Sequence, residues 1–169
     1  MGIRELKACE LTLAQNANRI RVRRGAIGIL ERPNEVLLIR RASNIPKGGR
    51  WCFPGGHLER GETSRHAVIR ELHEELGLIV QPVSRLGLIR VEDSGHVLAV
   101  WRVIQISGSL IAAPHEIEEI RWMSPPEVAQ LPNGLPSNLL VLRMLANHHA
   151  CRSGSPEPAS EKVMATNPY

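Results

Sequence analysis

Residues 54–78 read PGGHLERGETSRHAVIRELHEELGL, and this stretch decides the fold because it joins a glycine turn and a loop to one strongly marked helix. Thr63 is suited to cap the amino end of a helix, and Gly77 stands where a left-handed carboxyl-terminal cap is expected. Between them, apolar residues recur at the spacing of one helical face: Val68, Ile69, Leu72 and Leu76. We therefore predict a helix from Thr63 to Leu76.

Three glutamates occupy a different face of this predicted helix. Glu71, Glu74 and Glu75 are spaced i, i+3 and i+4, and like charges at i, i+4 destabilise an isolated helix by about 0.2–0.5 kcal/mol per pair. A hard divalent ion would offset this repulsion, because magnesium binds through carboxylates together with water and substrate phosphates. A solvated acidic surface is the commoner explanation for a glutamate cluster taken alone. The preceding Pro54-Gly55-Gly56 turn, where backbone can approach a ligand closely, favours a metal site.

The turn, loop and helix together form a longer pattern. Gly56 is followed by five residues, Glu62, seven residues and then the run from Arg70 to Leu78. This resembles the full Nudix box, G-x5-E-x7-R-E-U-x-E-E-x-G-U with U an apolar residue, and every fixed position is filled. Such a pattern is far more specific than a lone glycine motif. The resemblance implies an α/β fold, a Nudix-type α/β/α sandwich around a mixed β-sheet, over residues 22–150.

The family resemblance also implies an activity. Nudix hydrolases are MutT-like metal-dependent enzymes that cleave the diphosphate linkage of a nucleoside diphosphate derivative. A nucleoside triphosphate, an oxidised nucleotide or ADP-ribose is the expected type of substrate, with magnesium as the cofactor and manganese as the alternative ion. The competing hypothesis is a Nudix-fold module that binds or senses a nucleotide without cutting it. The complete glutamate set is evidence against that alternative.

Particular residues receive roles from the resemblance. Metal ligation is implied for three side chains and one main-chain carbonyl: Glu71, Glu74, Glu75 and Gly56. One of these glutamates, or one in a later loop, is the general base, and Glu71 and Glu116 are the candidates. Glu118 and Glu119 compete with Glu116. Arg70 is expected to hold a glutamate of the box in place, and Glu62 to anchor the loop.

Basic and aromatic residues near the box are candidates for substrate contact. Arginine suits bidentate phosphate binding, and five basic residues lie on the strands and loop before the box: Arg23, Arg40, Arg41, Lys47 and Arg50. We favour Arg40 and Arg50 because each adjoins a predicted strand end. The histidines lack a shared ligand spacing and are expected at the surface: His57, His66, His73 and His96. Of Trp51, Trp101 and Trp122, at least two are expected in the core, and one is a candidate for base stacking.

Short apolar runs predict the remaining elements. A strand pair is expected from Gly25–Leu30 and Val36–Ile39, joined by the turn at Pro33 and Asn34. Further β-segments are predicted at Trp51–Phe53, 78–80, 87–92, 96–106 and 117–123. Two packing helices are expected after these, from Pro125 to about Leu131 and from Asn138 to Ala150, the second with its apolar face at Leu139, Leu142, Leu145 and Ala146.

Composition limits the class of protein. The chain has 169 residues, 43% of them hydrophobic, which suits one domain with a real core. Lysine and arginine number 21 against 17 aspartate and glutamate residues, and aromatic residues make up 3%. This modest charge without stacking platforms favours a small nucleotide over polymeric nucleic acid. No apolar run is long enough to span a membrane or to form a signal core, so the predicted location is cytoplasmic.

The two ends of the chain are less informative. Residues 1–21 are predicted to form an arm with one short helix, Ile3–Gln15, and residues 151–169 a disordered tail that is poor in apolar residues. Cys9, Cys52 and Cys151 are odd in number and far apart, which argues against a disulfide framework or a zinc knuckle. The sequence leaves the oligomeric state open, with a homodimer among the alternatives.

Overall fold

The computed structural model describes residues 23–91 and 95–153. These ranges contain eight strands, β1 Arg24–Ile29, β2 Glu31–Arg32, β3 Glu35–Arg41, β4 Trp51–Cys52, β5 Gly55–His57, β6 Leu78–Val91, β7 His96–Gly108 and β8 Ile117–Met123. They also contain three helices, α1 Ser64–Leu76, α2 Pro125–Ala129 and α3 Ser137–Ser153. The predicted helix Ile3–Gln15 lies outside the described residues. The predicted tail was placed too early at residue 151, because α3 continues to Ser153.

The strands form two sheets. The first has the order β5-β1-β7-β6, in which β1 and β7 run parallel and the other neighbours antiparallel. In the second, β3 pairs with β8 along one edge and with β2 and β4 along the other. The predicted mixed sheet is therefore confirmed.

Helices cover both faces of these strands. Because side chains alternate along a strand, Ala26 of β1 packs on the side of α1 whereas Ile27 packs on the side of α3. Leu72 of α1 belongs to the first hydrophobic cluster, and Val141 and Leu145 of α3 belong to the second. Two cores on opposite sides of the strands make the α/β/α sandwich.

Helix α1 begins and ends where its sequence predicts. The Thr63 hydroxyl accepts a hydrogen bond from the His66 N–H at 3.3 Å, which satisfies a free donor of the first turn. Gly77 adopts φ 67°, and its N–H donates to the carbonyl of His73. Only glycine reaches this left-handed conformation without a steric cost, so the helix stops here and β6 starts at Leu78.

The predicted pairing of Gly25–Leu30 with Val36–Ile39 is wrong. Strands β1 and β3 both exist, but they belong to different sheets, and β3 pairs instead with the short strand β2 across the turn at Asn34. The main chain crosses between sheets at Leu30, which local sequence signals do not mark. Gly55–His57, predicted as part of a turn and loop, is a strand that pairs antiparallel with β1.

Two further segments differ from expectation. The predicted β-segments 78–80 and 87–92 fall, as far as residue 91, in one strand, β6, whose pairing with β7 shifts register three times. In α3 the buried apolar residues are Val141 and Leu145, whereas Leu139 is 53% exposed. The contacting face is therefore rotated from the predicted one, because it is set by where the helix meets β6 and α2. No helix in residues 23–91 and 95–153 is both long and apolar enough to cross a membrane.

Candidate active site

Strand β5 and the carboxyl-terminal half of α1 bring two glutamates against a pair of glycines. The Gly55 N–H donates to Oε2 of Glu75 at 2.8 Å, and Glu75 is only 3% exposed. A Cβ added to Gly56 would lie 2.4 Å from the carboxylate carbon of Glu71. A side chain at this position would displace the Glu71 carboxylate, so glycine is required for the two elements to approach.

The main chain of Gly56 points away from the glutamates. In an antiparallel ladder, only every second pair of facing residues is joined by main-chain hydrogen bonds. Between β1 and β5, hydrogen bonds of 2.9 Å from Leu58 N to Arg24 O and from Gly28 N to Pro54 O identify these hydrogen-bonded pairs. Gly56 lies two residues from Pro54 and from Leu58 and therefore belongs to a hydrogen-bonded pair, so its carbonyl faces Ala26 of β1. The use of the Gly56 carbonyl as a metal ligand stays a prediction from the resemblance. The residues between these pairs direct their main-chain groups away from β1, as the Gly55 N–H does toward Glu75.

Arg70 holds the loop to the helix. Its Nε and Nη2 donate to the two oxygens of Glu62 at 3.0 and 2.9 Å, and Nη2 also donates to the His57 carbonyl at 3.0 Å. Its Nη1 donates to Glu71 at 3.0 Å and to Glu74 at 2.9 Å. The Arg70 guanidinium lowers the pKa of Glu62 and, through these bonds, its own pKa is raised. Arg70 and Glu62 thus make the structural contacts expected of them.

The surroundings of Glu71 and Glu75 disfavour their charged forms and raise their pKa values. Burial raises the pKa of Glu75 to about 8, opposed by the Gly55 hydrogen bond and reinforced by the charges of Glu71 and Glu116. Burial also raises the pKa of Glu71; Arg70 opposes this rise, and Glu74 and Glu116 add to it. Three carboxylates, those of Glu71, Glu75 and Glu116, therefore repel one another across a half-buried space.

Glu116 reaches this space from the loop before β8. The Glu116 carbonyl accepts from the Ala42 N–H, and the Ala113 N–H donates to the Glu75 carbonyl, both at 2.9 Å, so the loop lies between the end of β3 and the end of α1. Its two sequence competitors are engaged elsewhere: Glu118 contacts Arg40 and Ser43, and Glu119 contacts Arg40 and Arg121.

Glu74 differs from the other two glutamates of the box. Its side chain is 55% exposed, whereas that of Glu71 is 12% exposed, and it contacts Arg70 from the solvent side. Within the described ranges no three histidine, cysteine, aspartate or glutamate side chains are arranged to hold a metal ion by themselves. A divalent ion held by Glu71 and Glu75 would therefore need further ligands, such as water and phosphate oxygens. A cation bound here would stabilise the charged form of Glu75, which burial and the charges of Glu71 and Glu116 disfavour.

Among the basic candidates, Arg41 and not Arg40 faces the glutamates. Side chains alternate along β3, so Arg41 shares the side of Cys52 and Glu75. Burial raises the pKa of both groups, and the charge of Arg41 opposes that rise. The Arg41 Nε donates to the Pro46 carbonyl at 3.0 Å. Arg40 lies on the opposite side, 5.9 Å from the Trp51 ring centroid and ion-paired with Glu118 and Glu119.

The other residues predicted to contact substrate, Arg50 and the tryptophans, differ in their burial, as do the histidines. Arg50 is exposed at the start of β4, and no side-chain partner is found for it among the described residues. Trp51 is buried in the second core, and Trp101 and Trp122 are partly buried against the first. Trp101 donates from Nε1 to the Ser64 hydroxyl at 3.2 Å. His57, His66 and His73 are exposed, as expected, and His57 contacts the partly buried His96, with ring centroids 5.0 Å apart. That contact has no signal in the sequence.

Comparison with known proteins gives one family and several relatives. Residues 19–145 match the family model of the NUDIX domain. The chain is 39% identical over 100 residues to an ADP-ribose pyrophosphatase of Methanocaldococcus jannaschii, and the aligned region covers 56% of this chain and 57% of that protein. It is 37% identical over 106 residues to a CTP pyrophosphohydrolase of Escherichia coli, covering 62% of this chain and 77% of that one. This chain therefore spans less than two thirds of the archaeal relative.

A solved structure agrees with the fold. The solution structure of the E. coli ORF135 protein is 32% identical in sequence and superposes with a TM-score of 0.67. The match covers 79% of this chain and 95% of that one. The likeness therefore extends over nearly the whole of that domain and over most of the residues described above.

Proposed function

This chain belongs to the Nudix family by its match over residues 19–145, and on that basis we propose that it hydrolyses the diphosphate linkage of a nucleoside diphosphate derivative with a divalent metal ion. The observation that carries the proposal is the buried Glu75, held on the Gly55 N–H beside the carboxylates of Glu71 and Glu116. A buried, repelling carboxylate group is costly unless a cation is part of the working site.

Glu71 and Glu75 are proposed as the side-chain ligands of this ion. Gly55 replaces Gly56 as the main-chain ligand, because its peptide is directed outward from the β1–β5 ladder toward Glu75. Glu74 is the weakest of the predicted ligands, since its exposed carboxylate is held by Arg70. Magnesium, with manganese as the alternative, suits an all-oxygen donor set. When bound, the ion would offset the negative charge of the diphosphate oxygens.

The other residues supply the proton transfer and the positive charge. Glu116 is proposed as the general base, because it is exposed enough to meet a water molecule and near enough to Glu71 and Glu75 to shift their pKa values upward. It takes a proton from the water that attacks one phosphorus, the bridging P–O bond breaks, and the electron pair leaves with the other phosphate. Arg41 faces the same space and would neutralise the phosphate that departs.

The class of substrate is proposed from the relatives. One is named an ADP-ribose pyrophosphatase and another a CTP pyrophosphohydrolase, which supports a nucleotide with a diphosphate linkage. A cytoplasmic location, the lack of a polymeric nucleic-acid partner and a homodimer remain predictions from the sequence. The non-catalytic binding module is the less favoured alternative, because every acidic position of the box is present.

Hydrolysis can be tested with a panel of nucleotides. The full chain is incubated with magnesium and ADP-ribose, 8-oxo-dGTP, a dinucleoside polyphosphate or each common nucleoside triphosphate, and phosphorylated products are separated and identified. At least one member should yield a nucleoside monophosphate, and chelation by EDTA should abolish the reaction. If none turns over with magnesium or manganese but one binds, the chain is a nucleotide-binding module and the proposed activity is wrong.

A further inference from the structure

Exposed apolar side chains are concentrated at the open end of the β6–β7 hairpin, where β6 begins and β7 ends. Nine large hydrophobic residues are exposed in the described ranges, and six of them lie here: Ile79, Val83, Ile104, Ile106, Leu110 and Ile111. This end of the hairpin is also uncharged, because neither residues 76–84 nor residues 103–114 include an aspartate, glutamate, lysine or arginine. In a chain of which 22% is charged, an exposed apolar surface of this kind indicates an interaction site.

The four side chains on the strands share one face of the sheet. Ile104 pairs with Gln81, so these two side chains lie on the same face. Ile79 and Val83 stand two residues before and after Gln81, and Ile106 stands two residues after Ile104, so alternation brings all of them to that face. The intervening residues of β6 are buried on the opposite face: Leu78, Val80 and Pro82.

Helix α3 lies on this face of the sheet but covers only the other half of β6. Its Met144 packs against Gly87, where an added Cβ would lie 3.1 Å from Met144 Cε, and Leu86 packs on the same core. In residues 23–91 and 95–153, none of the four exposed strand side chains packs against either core. The sheet therefore leaves apolar surface in contact with water, which costs free energy unless another element covers it.

The loop after β7 extends this surface and is held in place by the main chain. The Ile111 N–H donates to the Leu76 carbonyl and the Ala113 N–H to the Glu75 carbonyl, both at 2.9 Å. Ile111 also lies beside the start of β6, because its Cβ is 3.8 Å from the position that a Cβ on Gly77 would take. The surface is preformed, so a partner would not have to order it, and this lowers the entropic cost of binding.

The lack of charge indicates which partner fits. Different proteins use complementary charges to set the register and speed of their association, and this surface offers none. Two copies of this chain carry the same net charge of +4, so they repel each other least where the surface is neutral. Homodimer interfaces are also more apolar than those between different proteins, with few charges at their centre.

We propose that a second copy of this chain packs on this surface, sheet face against sheet face, about a two-fold axis. Extension of the sheet through the edge of β6 is disfavoured, because Pro82 has no N–H to donate and the register shifts of β6 interrupt a regular edge. The interface is made by the six exposed side chains at the open end of the hairpin. This inference is independent of the proposed hydrolysis.

Sedimentation equilibrium of the full chain tests the proposal, and wild type should have twice the mass of one chain. Ile104→Glu and Ile106→Glu should each weaken the dimer by at least about a hundredfold, because a two-fold interface buries each new carboxylate twice without a partner. Leu139→Glu is the matched control, since Leu139 is 53% exposed on α3 and lies outside the proposed interface. Its dimer should be as stable as that of wild type. Both interface positions are exposed in one copy, so the circular dichroism spectra should stay unchanged.

A wild-type chain that remains monomeric at about 100 µM would overturn the proposal. A dimer that neither interface substitution weakens would also overturn it, because the contact would then lie elsewhere. Hydroxyl-radical labelling of wild type identifies what covers the surface. Ile106 and Ile111 should be protected at concentrations where the dimer forms and labelled on dilution. Protection that persists in a monomer would assign the surface to a terminal segment of the same chain and would exclude the second copy.

Discussion

At the scale of single residues, the two acidic neighbours Glu74 and Glu75 are chemically identical and structurally opposite. Glu75 is buried and bonded to the Gly55 N–H, whereas Glu74 is 55% exposed and contacts Arg70. One helical step, about 100°, moves a side chain from the space under β5 to the solvent side. The Nudix box therefore contains residues with unequal roles, and substitutions at neighbouring positions can distinguish them.

Glu75→Gln should lower kcat by about two orders of magnitude or more while leaving the circular dichroism spectrum unchanged, because one proposed ligand is lost but the amide still accepts from Gly55. Glu74→Gln is the matched control and should cost far less. The variants are compared by magnesium-dependent turnover and by the rise in Tm that magnesium produces. Near-normal turnover in Glu75→Gln would remove this residue from the metal site.

Arg41 and Arg40 form a second adjacent pair with unequal expectations. Arg41→Met should reduce kcat/KM by about tenfold or more, because its guanidinium faces Glu75 and would contact a phosphate. Arg40→Met should change kcat/KM little, since Arg40 is ion-paired with Glu119 on the other side of β3. Steady-state kinetics on the preferred nucleotide decide between them. A larger effect at Arg40 would restore the sequence-based assignment.

At the scale of elements, the site depends on a loop tied to a helix. Glu62 accepts two hydrogen bonds from Arg70 and one from the Glu59 N–H, at 2.9 to 3.0 Å. This network fixes the loop between β5 and α1 and keeps Arg70 beside Glu71. Residues 58–63 are therefore held both by the Arg70 guanidinium and by the local turn between Glu59 and Glu62.

This network makes stability depend on pH in a defined direction. Arg70 lowers the pKa of Glu62 from its ordinary value of 4.5, so the carboxylate stabilises the fold fully above that value and loses its contribution as pH falls through the lowered pKa. Glu62→Gln should therefore unfold at a lower temperature than wild type at pH 7, and the difference in Tm should shrink below about pH 4.5. Thermal unfolding followed by circular dichroism across pH measures this. A Tm difference that is constant with pH would show that the ion pair is not its source.

At the scale of the whole molecule, α1 and α3 pack on opposite sides of the strands. The first core contains residues of α1, and the second contains residues of α3. The second core includes Val141 and Leu145 of α3 together with Trp51. Asn138, which is buried at the start of α3, donates from Nδ2 to the Trp51 carbonyl at 3.0 Å. Helix α3 is thus joined to β4 next to the candidate site.

Leu145→Ala should destabilise the protein by about 2–5 kcal/mol, because it opens a cavity in the second core. Leu139→Ala on the exposed face of the same helix should change stability by less than about 0.5 kcal/mol. Urea unfolding of both variants gives the comparison. Equal destabilisation would mean that α3 packs on the face expected from its sequence and not on the one described above.

The sequence alone determined the identity of the site helix, its two caps and the family. Thr63, Gly77 and the glutamate spacing act through local backbone geometry, which needs no distant partner. Most strands were also predictable, because apolar runs of that length bury themselves wherever they pair. The structural roles of Arg70 and Glu62 were also predicted, although their pairing with each other was seen only in the structure.

Only the tertiary structure decided which strands pair and which polar groups meet. The separation of β1 from β3 into two sheets, the position of Glu116 beside Glu71 and Glu75, and the contact of His57 with His96 all depend on residues that are distant in sequence. The proposals for Arg41 and Gly55 depend on which face of its strand each residue presents, and that face is known only once the register of pairing is known. Local preferences place a residue in an element, but the face it presents is set by long-range packing.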